Sequence, residues 1–381
     1  MNYSLFELIK YFLTLGSIGF GGPVALVGYM HRDLVEAKKW IPEDEYKTGL
    51  ALAQLAPGPL AAQLAIYLGY VHYKILGATL AGIAFVLPSF LMVLGIGFAY
   101  KTYGGLEWMQ AIFYGVSAAV VAIILISTYR LTIKSISKLH LAEMKSKWML
   151  WLFFFASALI TLISQSENIL LFIGCGLAYM MYKNQPNLSG KNMSLLLLPF
   201  AFTASELSTL EQIAIFFGKA GAFVFGSGLA IVPFLHSGVV VEHSWLSEKQ
   251  FLDAIAVAMI TPGPVVITVG FIGYLIVGVS GAIVAALATF VPCYLFTIVP
   301  APYFKKYGSN PSVKSFVEGI TAAVVGALAG AVILIAGGNV TDIPTALIAL
   351  ISLAILIYVK KIQEPLIVVC AALIGVAIKF F

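Results

Sequence analysis

The sequence predicts an all-α, multi-pass membrane protein built from two homologous halves, each with broken or re-entrant helices. Three observations predict it. Hydrophobic residues make up 61% of the 381 positions and charged residues 10%, against roughly 25% charged in an ordinary soluble domain. Apolar stretches near the bilayer-crossing length of about 20 residues recur along the chain, for example at 78–99, 148–164, 282–299 and 344–359. Shifted by about 205 positions, the chain also matches itself: Phe20-Gly21 falls on Phe225-Gly226, His31 on His236, Trp40 on Trp245, and Pro57-Gly58-Pro59 on Pro262-Gly263-Pro264.

After one deletion the register continues. Gly69-Tyr70 lies on Gly273-Tyr274, Gly77 on Gly281, Pro88 on Pro292, and residues 115–121 on 319–325. Residues 1–22 lack a small-residue cleavage site and read as the first membrane element rather than a removed signal peptide. Apolar elements follow near 5–29, 48–71, 75–100, 108–130, 148–165 and 168–183, with partners near 209–235, 252–277, 279–303, 313–336, 342–359 and 364–381. The expected organisation is an N-terminal half over 1–184, a linker over 185–208 and a C-terminal half over 209–381. Pro186, Gly190 and Pro199 mark the linker, which holds one short apolar piece.

Basic loops set orientation in membranes, and the two halves have opposite biases. Arg32, Lys38, Lys39 and Lys47 follow the first element, and Arg130, Lys134, Lys138, Lys145 and Lys147 follow the fourth, where the second half carries only Lys249. Lys305, Lys306, Lys360 and Lys361 occupy second-half loops whose counterparts hold Lys101 alone. With both basic loops of the first half cytoplasmic, elements two to four cross an even number of times, so one does not span. Proline removes a backbone donor and clashes in a helix interior, which makes the Pro-Gly-Pro element the expected re-entrant hairpin, tolerated where protein or a water-filled cavity covers it. About five crossings per half then invert the second half.

Matched broken helices in inverted repeats mark substrate sites near the midplane of many secondary transporters. The first pair is Gly19-Phe20-Gly21-Gly22 with Pro23, matched by Phe225-Gly226-Ser227-Gly228. The second is Pro57-Gly58-Pro59 with Gln54 and Gln63, matched by Pro262-Gly263-Pro264 with Thr261 and Thr268. Glycine-rich breaks expose backbone N–H groups, and helix N-termini add partial positive charge, both suited to an oxyanion. The ordinary alternative for any one glycine is close helix packing.

Arg32, Glu36 and Glu242 lie a few turns beyond the glycine breaks and are candidates for gating or recruiting an anion. His31 and His236 match in register and can titrate near neutral pH. A structural reading stands beside this: Arg32, Asp33, Glu36, Lys38 and Lys39 as an amphipathic interfacial segment anchored by Trp40, and the histidines as interfacial structure. Lys219 and Glu318 read either as snorkelling residues or as coupling groups. Cys175, Cys293 and Cys370 are isolated in apolar segments, so neither a disulfide framework nor a metal site is expected. No paired carboxylates, His-x-x-x-His spacing or phosphate-binding loop appears, so no enzyme, metal or cofactor chemistry is expected. The net charge of +5 is spread over loops, which gives nucleic-acid binding no support.

These residues resemble the chromate ion transporter family over nearly the whole chain. The first-half resemblance rests on Gly19-Phe20-Gly21-Gly22-Pro23, Tyr29-Met30, Arg32, Val35-Glu36, Trp40, Pro57-Gly58-Pro59, the run from Gln63 to Tyr70, and Leu87-Pro88-Ser89-Phe90. In the second half it rests on Phe225-Gly226, the run from Val239 to Glu242, Trp245, Phe251-Leu252-Asp253-Ala254, Thr261-Pro262-Gly263-Pro264 and Gly273-Tyr274. Ser227, His236, Met259 and Cys293 depart from the family pattern and bear on substrate identity. The resemblance implies export of chromate, a divalent sulfate-like oxyanion, across the cytoplasmic membrane of a prokaryote, with chromate resistance as the result. Family members occur as fused two-half chains or as pairs of short proteins, and a homodimer is open. The expectation is therefore a secondary transporter working by alternating access in the lipid bilayer, with a passive anion channel as the alternative reading.

Overall fold

A computed structural model describes residues 3–20, 22–104, 106–137, 141–166, 168–184, 208–224, 228–307, 310–359, 362 and 364–380. The expected linker, apart from Ser208, lies outside the described residues, as do Gly21, Phe225, Gly226 and Ser227. The described residues form helices and turns, without strands.

Both halves begin with a capping box at the start of an apolar helix. Ser4 accepts from the Glu7 amide at the start of α1 (Leu5–Ile18), and Ser208 accepts from the Glu211 amide at the start of α9 (Thr209–Phe223). Each box satisfies amides that have no partner within the helix. After α1 the chain turns through Gly19 and Gly22, and α2 (Gly22–Met30) continues into π-helical turns over His31–Ala37. Gly22 has φ of +71°, a conformation that costs glycine little. Tyr11 donates to Asp33 at 3.3 Å, and the Tyr3 ring stacks on Trp40 at 4.8 Å. α1 and α2 therefore run antiparallel and return to the same end.

α3 (Glu43–Leu55) and the first part of α4 (Leu60–Tyr103) form a second hairpin with Pro57-Gly58-Pro59 at its tip. Tyr67 donates to Glu45 at 3.3 Å across it. α4 then reverses at Lys74, whose φ is 51° and ψ −139°. Gly69 and Gly77 meet backbone to backbone beside this reversal, leaving no room for a Cβ. Residues 75–103 run the full length of the bundle. α5 (Glu107–Ser135), the short α6 (Leu141–Ser146), α7 (Trp148–Ser164) and α8 (Ile169–Lys183) complete the half.

The second half repeats the plan. After α9 come a 3-10 turn over Gly228–Ile231, α10 (Val232–His236) and π-helical turns over Ser237–Glu242. α11 (Glu248–Ile260), Pro262-Gly263-Pro264 and α12 (Thr268–Val277) form the matching second hairpin, and Gly278 (φ 74°) makes the reversal that Lys74 makes. α13 (Val279–Ile298) and α14 (Ala301–Tyr307) precede α15 (Pro311–Asn339), α16 (Ile343–Tyr358) and α17 (Glu364–Phe380). Left-handed residues recur at equivalent places: Lys39 with Ser244, Gly58 with Gly263, and Lys74 with Gly278. Among the described residues, Leu60–Tyr103, Glu107–Ser135, Val279–Phe304 and Pro311–Asn339 are long and apolar enough to cross a bilayer.

Contacts at the two ends establish the inversion. Tyr73, beside the Lys74 reversal, donates to the Tyr3 carbonyl at the base of the first-half hairpins. At the far end of the same helix, Tyr100 donates to Asp253 near the base of α11 at 2.6 Å. Gly97 meets Tyr274 close to the Gly278 reversal. The hairpins of the two halves thus enter the bundle from opposite ends, as expected from charge. Among the described residues, four helical segments of each half run from end to end, and the linker between the halves lies outside them. The element near 5–29 folds back on itself at the Gly19–Gly22 turn instead of spanning.

Candidate functional site

The two Pro-Gly-Pro turns meet the helix ends at Gly19 and Val224 at the centre of the molecule in a reciprocal exchange. Gly58 donates its amide to the Val224 carbonyl at 2.6 Å, and Gly263 donates to the Gly19 carbonyl at 3.0 Å. Gly19 and Val224 end α1 and α9, so a carbonyl left over by the helix end of one half takes an amide from the turn of the other. Both glycines have positive φ, +139° at Gly58 and +96° at Gly263. A side chain at Gly58 would press on Gln63, 2.8 Å away, and on Cys293 Sγ; one at Gly263 would collide with Ser89 Oγ.

Ser89 and Cys293 hold equivalent positions and do different things. Ser89 Oγ donates to the Pro262 carbonyl at 2.7 Å and approaches the Gly16 carbonyl at 3.3 Å. Cys293 lies fully buried against Gly58. On that side Gln63, also fully buried, donates to the Pro57 carbonyl at 2.7 Å, while its Oε1 has no partner among the described residues.

A cavity of about 970 Å³ runs from one end of the bundle to these turns. At its inner limit it touches Gly22, Pro23, Gln54, Leu60 and Val265, the last two immediately following the Pro-Gly-Pro turns. Nearer the mouth it is lined by Lys47, Arg130, Lys134, Lys147 and Lys314, against the carboxylates of Glu318 and Glu364. Thr48, Ser127 and Thr321 add hydroxyls. Cations clustered around a low-dielectric cleft concentrate anions, and backbone and hydroxyl donors can then replace part of an oxyanion's hydration shell.

The region related to this cavity by the repeat is closed. Thr48, Phe304 and Thr321 line the cavity, whereas their counterparts Asp253, Tyr100 and Ser117 pack together at the opposite end. Asp253 is 1% exposed, accepting from Tyr100 at 2.6 Å and from Ser117 at 3.4 Å. Among the described residues, the cavity lies open around Thr48, and its repeat-related counterpart around Asp253 is packed shut.

The profile of the chromate transporter family matches residues 6–180 and 211–376, one segment in each half. The chain belongs to the chromate transporter family. It is 59% identical to a chromate transport protein of Cupriavidus metallidurans, over 98% of this chain and 93% of that protein. It is 55% identical to a probable chromate transport protein of Synechococcus elongatus, over 98% and 95%. An uncharacterised transporter of Methanocaldococcus jannaschii is 28% identical over 98% and 94%. No solved structure matches the chain.

For this chromate transporter family member, the residues singled out in the sequence fall into two groups. Gly19, Gly22, Pro57, Gly58, Pro59, Gln63, Gly228, Pro262, Gly263 and Pro264 lie at or beside the central turns, and Gln54 faces the cavity. Thr261 and Thr268 spend their hydroxyls on local helix carbonyls. Phe20 adjoins Gly19. The expected gating residues sit apart, at the hairpin bases. Arg32 pairs with Asp33 at 2.8 Å, and His31 bridges Glu36 and Glu43 at 3.2 and 2.9 Å. His31 and Lys47 together hold the Glu43 carboxyl below the usual carboxylate range. His236 repeats the pairing with Glu248 at 2.8 Å but is buried, and Glu242 is exposed.

The cavity cations carry no site signal in the sequence, although Lys47, Arg130, Lys134 and Lys147 belong to the basic loops that bias the orientation. Their convergence depends on α3, α5 and α7 meeting at one end. Ser89 carries a signal in Leu87-Pro88-Ser89-Phe90, since a hydroxyl beside a proline in an apolar helix needs a polar neighbour.

Proposed function

We propose that this chain exports chromate from the cytoplasm of a prokaryote as a secondary transporter, using alternating access through its inverted halves. The observation that carries the reading is the cavity. It is lined by five cations and two carboxylates, it reaches the residues that follow the Pro-Gly-Pro turns, and its repeat-related counterpart around Asp253 is packed shut. The same end bears the basic loops, which the positive-inside rule assigns to the cytoplasm, so the conformation described is the cytoplasm-open one. The oxyanion is drawn in by Lys47, Arg130, Lys134, Lys147 and Lys314, sheds water against Gln54 and Gly22, and occupies the region between the turns. When the halves exchange conformations, the Thr48 side closes and the Asp253 side opens.

The relatives named as chromate transport proteins support chromate as the substrate. A negative cell interior favours outward movement of a dianion, by about 2.3 kcal/mol per charge per 100 mV. The sealed Asp253 end favours a carrier over an open pore. Everted membrane vesicles carrying the protein should accumulate radiolabelled chromate, saturably, when the lumen is made positive. Flux linear in concentration and in voltage would identify a channel, and no flux above empty vesicles would remove the transport reading.

A further inference from the structure

The two ends of the molecule differ in one chemical respect that the repeat makes visible. At the open end the position is a hydroxyl, Thr48, with Phe304 beside it; at the sealed end it is a carboxyl, Asp253, with Tyr100 beside it. A buried carboxylate that lacks a cation is costly, and among the described residues Asp253 forms no ion pair. The groups that face it are few. Tyr100 comes from α4 and Ser117 from α5; Lys249 stands one turn earlier on α11, and the His236–Glu248 pair lies at the start of that helix. α12, α15 and α17 contribute apolar side chains such as Phe271, Val332 and Val368 to the same core.

We propose that Asp253 is a proton-binding site of the outer vestibule. It takes a proton from the outer solution when that vestibule is open and holds it while the vestibule is closed. The inference rests on the alternating-access reading above. One proton moves from hydronium to a carboxyl oxygen of Asp253, and returns to the same side on reopening. Ionised Asp253 belongs to the outward-open state, where its charge repels a departing dianion and opposes its re-entry. Neutral Asp253 belongs to the state described here, in which Tyr100 and Ser117 close over it. Low external pH therefore favours closure of the outer end, and high external pH holds it open.

Ala256, related by the repeat to the cavity-lining Ala51, is buried now and becomes accessible when the outer end opens. The test labels Ala256→Cys with a membrane-impermeant maleimide from the outer face of right-side-out proteoliposomes, in a chain carrying Cys370→Ser. Rates are compared with and without Asp253→Asn, so that the thiol's own titration cancels in the ratio. The expected ratio is near one at low external pH and rises with pH by up to about tenfold per unit until the open state dominates. Tyr100→Phe, which keeps the ring and removes a donor that Asp253 has only in the closed state, should shift that rise to lower pH by about one unit; this variant serves where Asp253→Asn does not fold. A ratio that stays flat while both chains label overturns the proton site alone. Absence of labelling at every pH in both chains overturns the site together with alternating access.

Discussion

Gly58 hands its amide to the Val224 carbonyl at 2.6 Å, so the turn of one half completes the helix end of the other. Gly263 and Gly19 return the bond at 3.0 Å. Neither turn can change shape without its partner half responding, so the two halves are mechanically coupled at their centre.

Gly263→Ala and Gly58→Ala should each abolish transport. At Gly263 a methyl group meets Ser89 Oγ, and at Gly58 it meets Gln63 and Cys293, with positive φ in both cases. The combined strain is about 2 kcal/mol or more. Chromate uptake by everted vesicles, normalised to protein surviving detergent gel filtration, separates loss of transport from loss of fold.

Ser89→Ala should destabilise the protein by about 1–3 kcal/mol, because the Pro262 carbonyl loses its buried donor. Cys293→Ser should be far milder. A hydroxyl there faces the other turn, where the Pro57 carbonyl already has a partner in Gln63. Thermal unfolding in detergent of the two variants side by side checks the contrast.

Arg130→Gln and Lys134→Gln should raise the KM for chromate by about two- to fivefold each while leaving kcat nearly unchanged, as expected for groups that attract the anion. The defect should shrink as ionic strength rises, since the lost attraction is one that salt screens anyway. Initial rates at low and high salt test both statements.

His236→Gln should cost more stability than His31→Gln. The first removes the buried partner of Glu248, worth about 1–3 kcal/mol, whereas the second breaks solvent-screened pairs that contribute less. The order of the two melting temperatures decides the matter.

Single cysteines at positions 33–45 and at 238–247 should react with an impermeant thiol reagent from opposite sides of the membrane. The two segments are equivalent hairpin bases at opposite ends of the bundle. Reaction from the same side would remove the inversion.

The repeat and the central turns are legible in the sequence because Gly, Pro and Trp have few substitutes where a backbone must turn or pack closely. Pro57-Gly58-Pro59 announces a non-spanning hairpin by removing helical hydrogen bonds. The fold-back at Gly19–Gly22 is not legible in the same way. The element around it is apolar enough to pass for a span, and the group that holds its helix end, the Gly263 amide, lies more than two hundred residues away. Arg32 attracts notice as a charge near a break, yet its partner Asp33 is its own neighbour. The cations that line the cavity are scattered over four helices, and only tertiary packing brings them together.

The exchange between Gly58 and Val224 also bears on gene structure. Were this chain cut between its halves, each fragment would carry a turn and a helix end whose partners are encoded on the other. A fragment alone would present an amide and a carbonyl to lipid without a mate, and two copies of the same fragment would have to insert in opposite orientations to supply one. Separate genes for such halves would therefore be expected to stay together, expressed in equal amount and inserted with opposite polarity, and deletion of either would leave the other as material for proteolysis.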